Sequence, residues 1–175
     1  MGHNKAYDKN IDFTVAIAGN PNVGKSTIFN SLTRYASAHW KLATEKLFQM
    51  PFGKCRYHGK NILLVDIPGT YSLMSNSEEE EIARNYICFG NHDAIIVVLD
   101  ATCIERNLNL VFQILEITKK VVVCVNLLDE ATKKGISIDL DKLSSLLGIP
   151  VVGTIANKSK TLNKLLEVLY NVCKR

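Results

Sequence analysis

The chain has 175 residues, 47% of them hydrophobic and 22% charged, with a formal net charge of +4. That suffices for one domain with its own core, and the positive charge is too mild and too scattered for a nucleic-acid surface. An odd number of cysteines without a C-x-x-C pair argues against a disulfide framework or zinc site and for a reducing cytosolic setting. The opening MGHNKAYDKNID carries no apolar leader and no window reaches the ~18 apolar residues of a membrane span, so no direct membrane insertion is expected.

The first apolar run, Phe13–Ala18, reads as a buried strand and leads into Gly19–Thr27, after which Lys25–Thr33 has helical periodicity. A second strand is expected at Asn61–Asp66, followed by a helix at Ser77–Phe89 that opens on Glu78–Glu81. That acidic run reads as a solvated face favoured by the helix dipole. Ala94–Asp100 is a third strand. Ile104–Ile117 repeats Leu108, Val111, Phe112 and Leu115 at helical spacing. Val121–Asn126, with Cys124 as a core residue, and the short Val151–Gly153 complete five strands. Asp139–Leu147 and Thr161–Tyr170 are the remaining helices. Strand alternating with helix predicts a three-layer α/β fold with a mostly parallel central sheet and helices on both faces, and the phosphate-loop motif at Gly19–Thr27 places it with the P-loop NTPase folds. Ligands in such folds bind beyond the carboxyl ends of the strands.

The segment Gly19-Asn20-Pro21-Asn22-Val23-Gly24-Lys25-Ser26-Thr27 matches G-x-x-x-x-G-K-[ST] between a strand and a helix, the context of a phosphate-binding loop. Its glycines let backbone N–H groups point at phosphate, and the helix N-terminus adds favourable partial charge. Asn20, Asn22, Val23, Gly24, Lys25, Ser26 and Thr27 are therefore the expected phosphate-side contacts, with Lys25 on the β/γ-phosphates and Ser26 on Mg²⁺. Asp66-Ile67-Pro68-Gly69 gives D-x-x-G at the end of the next clear strand. Asp66 is expected to hold Mg²⁺ through water, and Gly69 to turn its N–H toward the γ-phosphate, which makes Lys25 and Gly69 the candidate catalytic residues. Thr70 stands where some GTPases carry a water-orienting Gln; it reaches less far, so slow turnover is expected. Asn126-Leu127-Leu128-Asp129 is N-x-x-D, the guanine reader of GTPases. The Asp129 carboxylate can accept from two guanine donors that adenine lacks, while Asn126 braces the loops. Leu127 replaces the usual lysine of this motif. In Thr154–Asn157, Ala156 is the candidate for a backbone N–H to guanine O6, against the alternative of a plain strand-to-helix turn.

These segments together resemble the N-terminal cytosolic G domain of the ferrous iron transport protein B (FeoB) family. GNPNVGKSTIFNSLT, DIPGTYSLMSNSEEEEIARNY, LDATCIERNLNLVFQILE, NLLDEATKKGISID and KLSSLLGIPVV carry the likeness over nearly the whole chain. The resemblance implies GTP and GDP as ligands, GTP hydrolysis, and regulation of ferrous iron transport. It implies residues 1–175 as a G domain that is itself soluble and cytosolic. Helical regulatory and membrane domains, absent from this sequence, would hold it at the cytoplasmic face of the membrane. It further implies K⁺ at Asn22 beside the phosphates, the alternative being a turn-forming Asn that bonds its own backbone. A stand-alone ribosome-assembly GTPase shares G-x-P-N-V-G-K-S, but IERNLNL and NLLDE argue against it.

One stretch departs from the family. Members carry a switch I loop with a motif like N-W-P-G-x-T, and RYASAHWKLATEKLFQMPF at Arg34–Phe52 retains only Trp40 of it. With suitably chosen codons, the same DNA read out of register gives G-M-H-Q-H-T-G-N-W-P-G-K-T-V-S-N-A-I, with Gly53 back in frame. Single-base insertions that together add one residue account for the difference. Arg34–Phe52 is accordingly read as a frame-shifted switch I. Its threonine is lost, which impairs γ-phosphate sensing and leaves a module that holds GDP without turnover as an alternative function. As written, Ala36–Met50 lacks Gly and Pro and favours a helix or disorder over a loop folded across the nucleotide.

Overall fold

A computed structural model of the chain describes residues 10–34, 50–74, 77–155 and 158–175. Six strands, β1 (Phe13–Gly19), β2 (Phe52–Tyr57), β3 (Lys60–Asp66), β4 (Ala94–Asp100), β5 (Val121–Asn126) and β6 (Val151–Gly153), form one sheet in the order β2-β3-β1-β4-β5-β6. All neighbours are parallel except β2 and β3, which pair antiparallel from Phe52↔Val65 to Tyr57↔Lys60. The helices are α1 (Lys25–Arg34), α2 (Glu78–Phe89), α3 (Ile104–Ile117), α4 (Leu128–Lys133), α5 (Leu140–Leu147) and α6 (Ser159–Cys173).

The apolar strands are buried on both faces because successive side chains alternate sides. Val15, Ile17, Ile96, Val98, Val122 and Cys124 face α1 and α6, meeting Ile28, Leu32, Leu165 and Leu169. Ala16, Ala18, Ile95, Val97, Leu99 and Val123 face the other way, onto Ala83, Ile87, Leu110, Val111 and Ile114 of α2 and α3. With α1 on one face and α2 on the other, the chain leaves β1 and β3 in opposite directions. A crevice therefore opens at the carboxyl end of β1, where such folds bind ligands. At the opposite end of the sheet, the β2–β3 turn at His58 and Gly59, both with positive φ, meets the last turns of α6. His58 stacks on Tyr170 with ring centroids 5.6 Å apart, and Tyr170 meets Phe13 edge-on at 6.1 Å.

Two elements correct the sequence reading. β2 extends the expected five strands to six, and it begins inside the stretch read as frame-shifted. Met50, expected at the end of a helix-favouring run, instead sits in a bend and is 5% exposed. α4 is the other addition. Residues 35–49, and with them the bulk of the altered switch I, lie outside the described residues.

Candidate functional site

The loop after β1 is shaped by two left-handed residues, Asn22 at φ 68° and Gly24 at φ 84°. Gly24 is required on two counts, since a Cβ there would lie 2.4 Å from Asn126 Nδ2 and Ala disfavours that backbone region. The first intrahelical bond of α1 runs from Ile28 N to Gly24 O at 3.0 Å. The N–H groups of Lys25, Ser26 and Thr27 therefore have no acceptor within the helix. No acidic residue stands in that first turn to take up the dipole, whereas α2 opens with four glutamates behind a Ser77 cap. Beside the loop, Asn20 is 2% exposed and neither Nδ2 nor Oδ1 of its carboxamide is hydrogen bonded. Free helical amides, an uncompensated helix N-terminus and an orphaned buried amide fit an anionic, polar ligand.

A cavity of about 490 Å³ is lined by Asn20, Pro21, Asn22, Gly24, Lys25, Ser26, Thr27, Gly69 and Glu79. Of these, Glu79 escaped the sequence reading. It is exposed, as expected of the acidic run, but the cap at Ser77, accepting from Glu80 N at 3.2 Å, brings it to the mouth of the cavity.

Asp66 ends β3 with its carboxylate on Lys25 Nζ, and Ser26 Oγ donates to the other carboxylate oxygen at 3.4 Å. The pair is sheltered, with the Lys25 and Asp66 side chains 10% and 8% exposed. A hydroxyl beside a carboxylate is a hard-oxygen donor set suited to a divalent cation such as Mg²⁺. Gly69 packs flat on Pro21, and a Cβ there would lie 3.3 Å from the Pro21 backbone. Thr70 N then donates to Gly19 O at 3.1 Å, tying the D-x-x-G segment to the end of β1.

Asn126, fully buried at the end of β5, joins three loops. Its Nδ2 donates to Val23 O at 3.1 Å, and its Oδ1 accepts from Thr154 Oγ1 at 3.2 Å. Thr154 Oγ1 also lies 3.1 Å from Cys124 Sγ, whose thiol burial pushes up to about 12. The bracing role expected of Asn126 thus has a geometry, and buried Thr154 is a partner that sequence reading did not single out. Leu127 follows at φ 63°, a left-handed conformation unusual for a branched apolar residue. That turn starts α4 and sets the half-buried Asp129 in its first turn, at the same sheet edge as the phosphate loop. Ala156 lies outside the described residues. Every other site residue singled out from the sequence falls at this carboxyl edge.

Residues 13–169 match the family described as ferrous iron transport protein B. The FeoB G domain of Methanococcus jannaschii is 39% identical and superposes with a TM-score of 0.81, over 93% of this chain and 98% of that one. The cytosolic domain of T. maritima FeoB has been solved in GDP and GMPPNP forms. These are 39% and 40% identical with TM-scores of 0.81 and 0.82, each matching 93% of this chain and 64% of that one. The Fe(2+) transporter FeoB of Salmonella typhimurium is 39% identical over 158 residues, 87% of this chain, and the chain spans only 20% of that protein's length. Among the described residues no helix is long and apolar enough to cross a membrane. The fold, the motif placement and these likenesses agree: the chain belongs to the ferrous iron transport protein B family, at the position of its N-terminal G domain.

Proposed function

We propose that the chain binds GTP and GDP at the carboxyl edge of its sheet, hydrolyses GTP slowly, and serves as the regulatory G domain of a ferrous iron transporter. One observation carries this reading: Asn126 of the base-reading motif is bonded to Val23 of the phosphate loop, which makes both halves of a guanine site one rigid unit. Asn20, Asn22, Val23, Gly24, Lys25, Ser26 and Thr27 take the phosphates, while Asn126, Asp129 and the Ala156 loop take the base. The GDP and GMPPNP forms of the T. maritima relative support that ligand class. Ser26 and Asp66 would hold Mg²⁺, which neutralises phosphate charge. Lys25 leaves Asp66 for the phosphates, and Gly69 offers its N–H to the terminal one. Asn22, lining the cavity, is the K⁺ ligand of this proposal. The helical and membrane domains of longer relatives are the proposed partners, placing the domain at the cytoplasmic face of the membrane.

A second reading, a GDP-holding module without turnover, is favoured by the missing N-W-P-G-x-T motif in Arg34–Phe52. Phosphate release measured in KCl and in NaCl separates the two. Potassium-stimulated turnover supports the first. Tight GDP binding with no turnover in either salt supports the second. The coding DNA decides the frame-shift itself, since codons that cannot yield N-W-P-G in another frame exclude it.

A further inference from the structure

The segment after Gly69 is held by a second set of contacts, all from α3 and α2. Gln113 Oε1 accepts from Leu73 N at 2.7 Å and from Ser72 Oγ at 3.3 Å, and Gln113 Nε2 lies 3.0 Å from the same hydroxyl. Arg106, about two turns earlier on the same face of α3, lies over the Tyr71 ring, 4.8 Å from its centroid. Arg84 Nη1 donates to Leu73 O at 3.3 Å. On the site side, Thr70 Oγ1 donates to Ser72 O at 2.6 Å while Thr70 N is bonded to Gly19 O. A chain of hydrogen-bonded residues thus runs from the end of β1 through Thr70 and Ser72 to Gln113, which lies 41 residues beyond Ser72 in sequence.

We propose that Gln113, seconded by Arg106, is a positioning residue that holds Thr70–Met74 in the arrangement favouring a diphosphate. Its grip then sets how strongly the site discriminates GTP from GDP. The inference rests on the guanine-nucleotide reading. Both nucleotides draw Lys25 from Asp66, whereas only a terminal phosphate takes the Gly69 N–H. Gly69 cannot turn without moving Thr70, and Thr70 cannot move without straining Ser72 against Gln113. A ligand shifts such an equilibrium only by its differential affinity for the two arrangements, so each bond that holds one of them weakens the ligand needing the other. The affected residue touches no nucleotide and acts through the backbone of residues 70–73.

The variants are Gln113→Leu, which keeps the bulk and removes both polar atoms, and Gln113→Glu, which keeps an acceptor for Leu73 N and Ser72 Oγ. Gln113 is half-buried on a helix surface, so both are expected to fold. Two readouts are taken on purified protein: amide hydrogen exchange over residues 71–74 without nucleotide, and the ratio of Kd for GDP to Kd for GMPPNP. Gln113→Leu is expected to speed exchange at Leu73 and to shift the ratio about fivefold to tenfold toward GMPPNP, the loss of one to two net hydrogen bonds. Gln113→Glu is expected to stay within about twofold of the parent in both. A merely structural loss would weaken both nucleotides equally and leave the ratio alone. An unchanged ratio, or unchanged exchange in Gln113→Leu, overturns the proposal. Failure of the parent protein to bind either nucleotide overturns the guanine reading instead, and exchange at Leu73 still decides whether Gln113 holds the segment.

Discussion

Replacing Asn126 by alanine tests whether the two halves of the site are one unit. The substitution removes the donor 3.1 Å from Val23 O and the acceptor 3.2 Å from Thr154 Oγ1, both in surroundings closed to water. Each bond contributes about 1 kcal/mol net, and the buried Val23 carbonyl left without a partner adds a further penalty of about 1 kcal/mol. Thr154 recovers part of its loss through Cys124 Sγ, already 3.1 Å away. The sum is roughly 3 kcal/mol, or about 150-fold in nucleotide affinity if it falls entirely on the bound state. Titration with GDP carrying a fluorescent ribose label measures it, with the urea midpoint of the free protein recorded in parallel. Thr154→Val provides the cycle. Because Thr154 and Asn126 share one bond, the double variant is expected to lose about 1 kcal/mol less than the sum of the singles. Asn126→Ala binding GDP within about twofold of the parent, or strict additivity with Thr154→Val, would refute the bracing argument.

Gly24→Ala forces a Cβ against Asn126 Nδ2 and into a left-handed backbone, so GDP affinity is expected to fall at least tenfold, about 1–2 kcal/mol from the backbone alone. In an Asn126→Ala background only the backbone part remains, so the same substitution then costs less. Asp66→Asn leaves the sheltered Lys25 ammonium without its counter-charge and is expected to lose roughly 3 kcal/mol of stability. GDP added in EDTA supplies phosphate to Lys25, so the rise in Tm on binding is expected to be larger in Asp66→Asn than in the parent; an equal or smaller rise contradicts the pairing. The Cys124 thiol is raised by burial from 9.0 to about 12. The folded state then holds its proton where the unfolded state loses it: the stability is intact below pH 9 and drains as pH climbs toward 12. By pH 10 this amounts to roughly 1 kcal/mol, which Cys124→Ala should remove from the pH dependence of the urea midpoint. Native thiol labelling should modify exposed Cys88 first. Cys103 follows, held up by desolvation and the nearby Asp100 carboxylate, while Cys55 and Cys173, raised by burial like Cys124, react only on unfolding.

What the sequence made legible was local. The phosphate loop is a contiguous string whose chemistry is spelled by residue type, and four parallel strands are continuous apolar runs because they are buried on both faces. β2 escaped because FGKCRY is an edge strand with only Cys55 buried, so it carries no apolar run. The one hint was the His58-Gly59 turn, both residues left-handed. α4 is six residues long, too short for helical periodicity to register, and its start depends on a strained Leu127 that no propensity favours. Asn126 was legible as a motif residue. Its acceptor Val23 lies 103 residues away and its donor Thr154 28 residues away, so the brace itself was not legible. Gln113 illustrates the same gap, since a polar residue on a helix carries no sign of the loop it holds.

The course of α6 has a mechanical consequence. Its first turn follows the Thr154 loop at the nucleotide edge, and its last turns lie against Phe13 and His58 at the other end of the sheet. Fifteen helical residues carry the chain across the domain, a span of about 22 Å at 1.5 Å per residue. Any polypeptide continuing past Arg175 therefore starts at the pole opposite the phosphates. It can feel a rearrangement there only by folding back along the flank or by being levered through a rigid rod, and stiffening or interrupting α6 would separate those two routes.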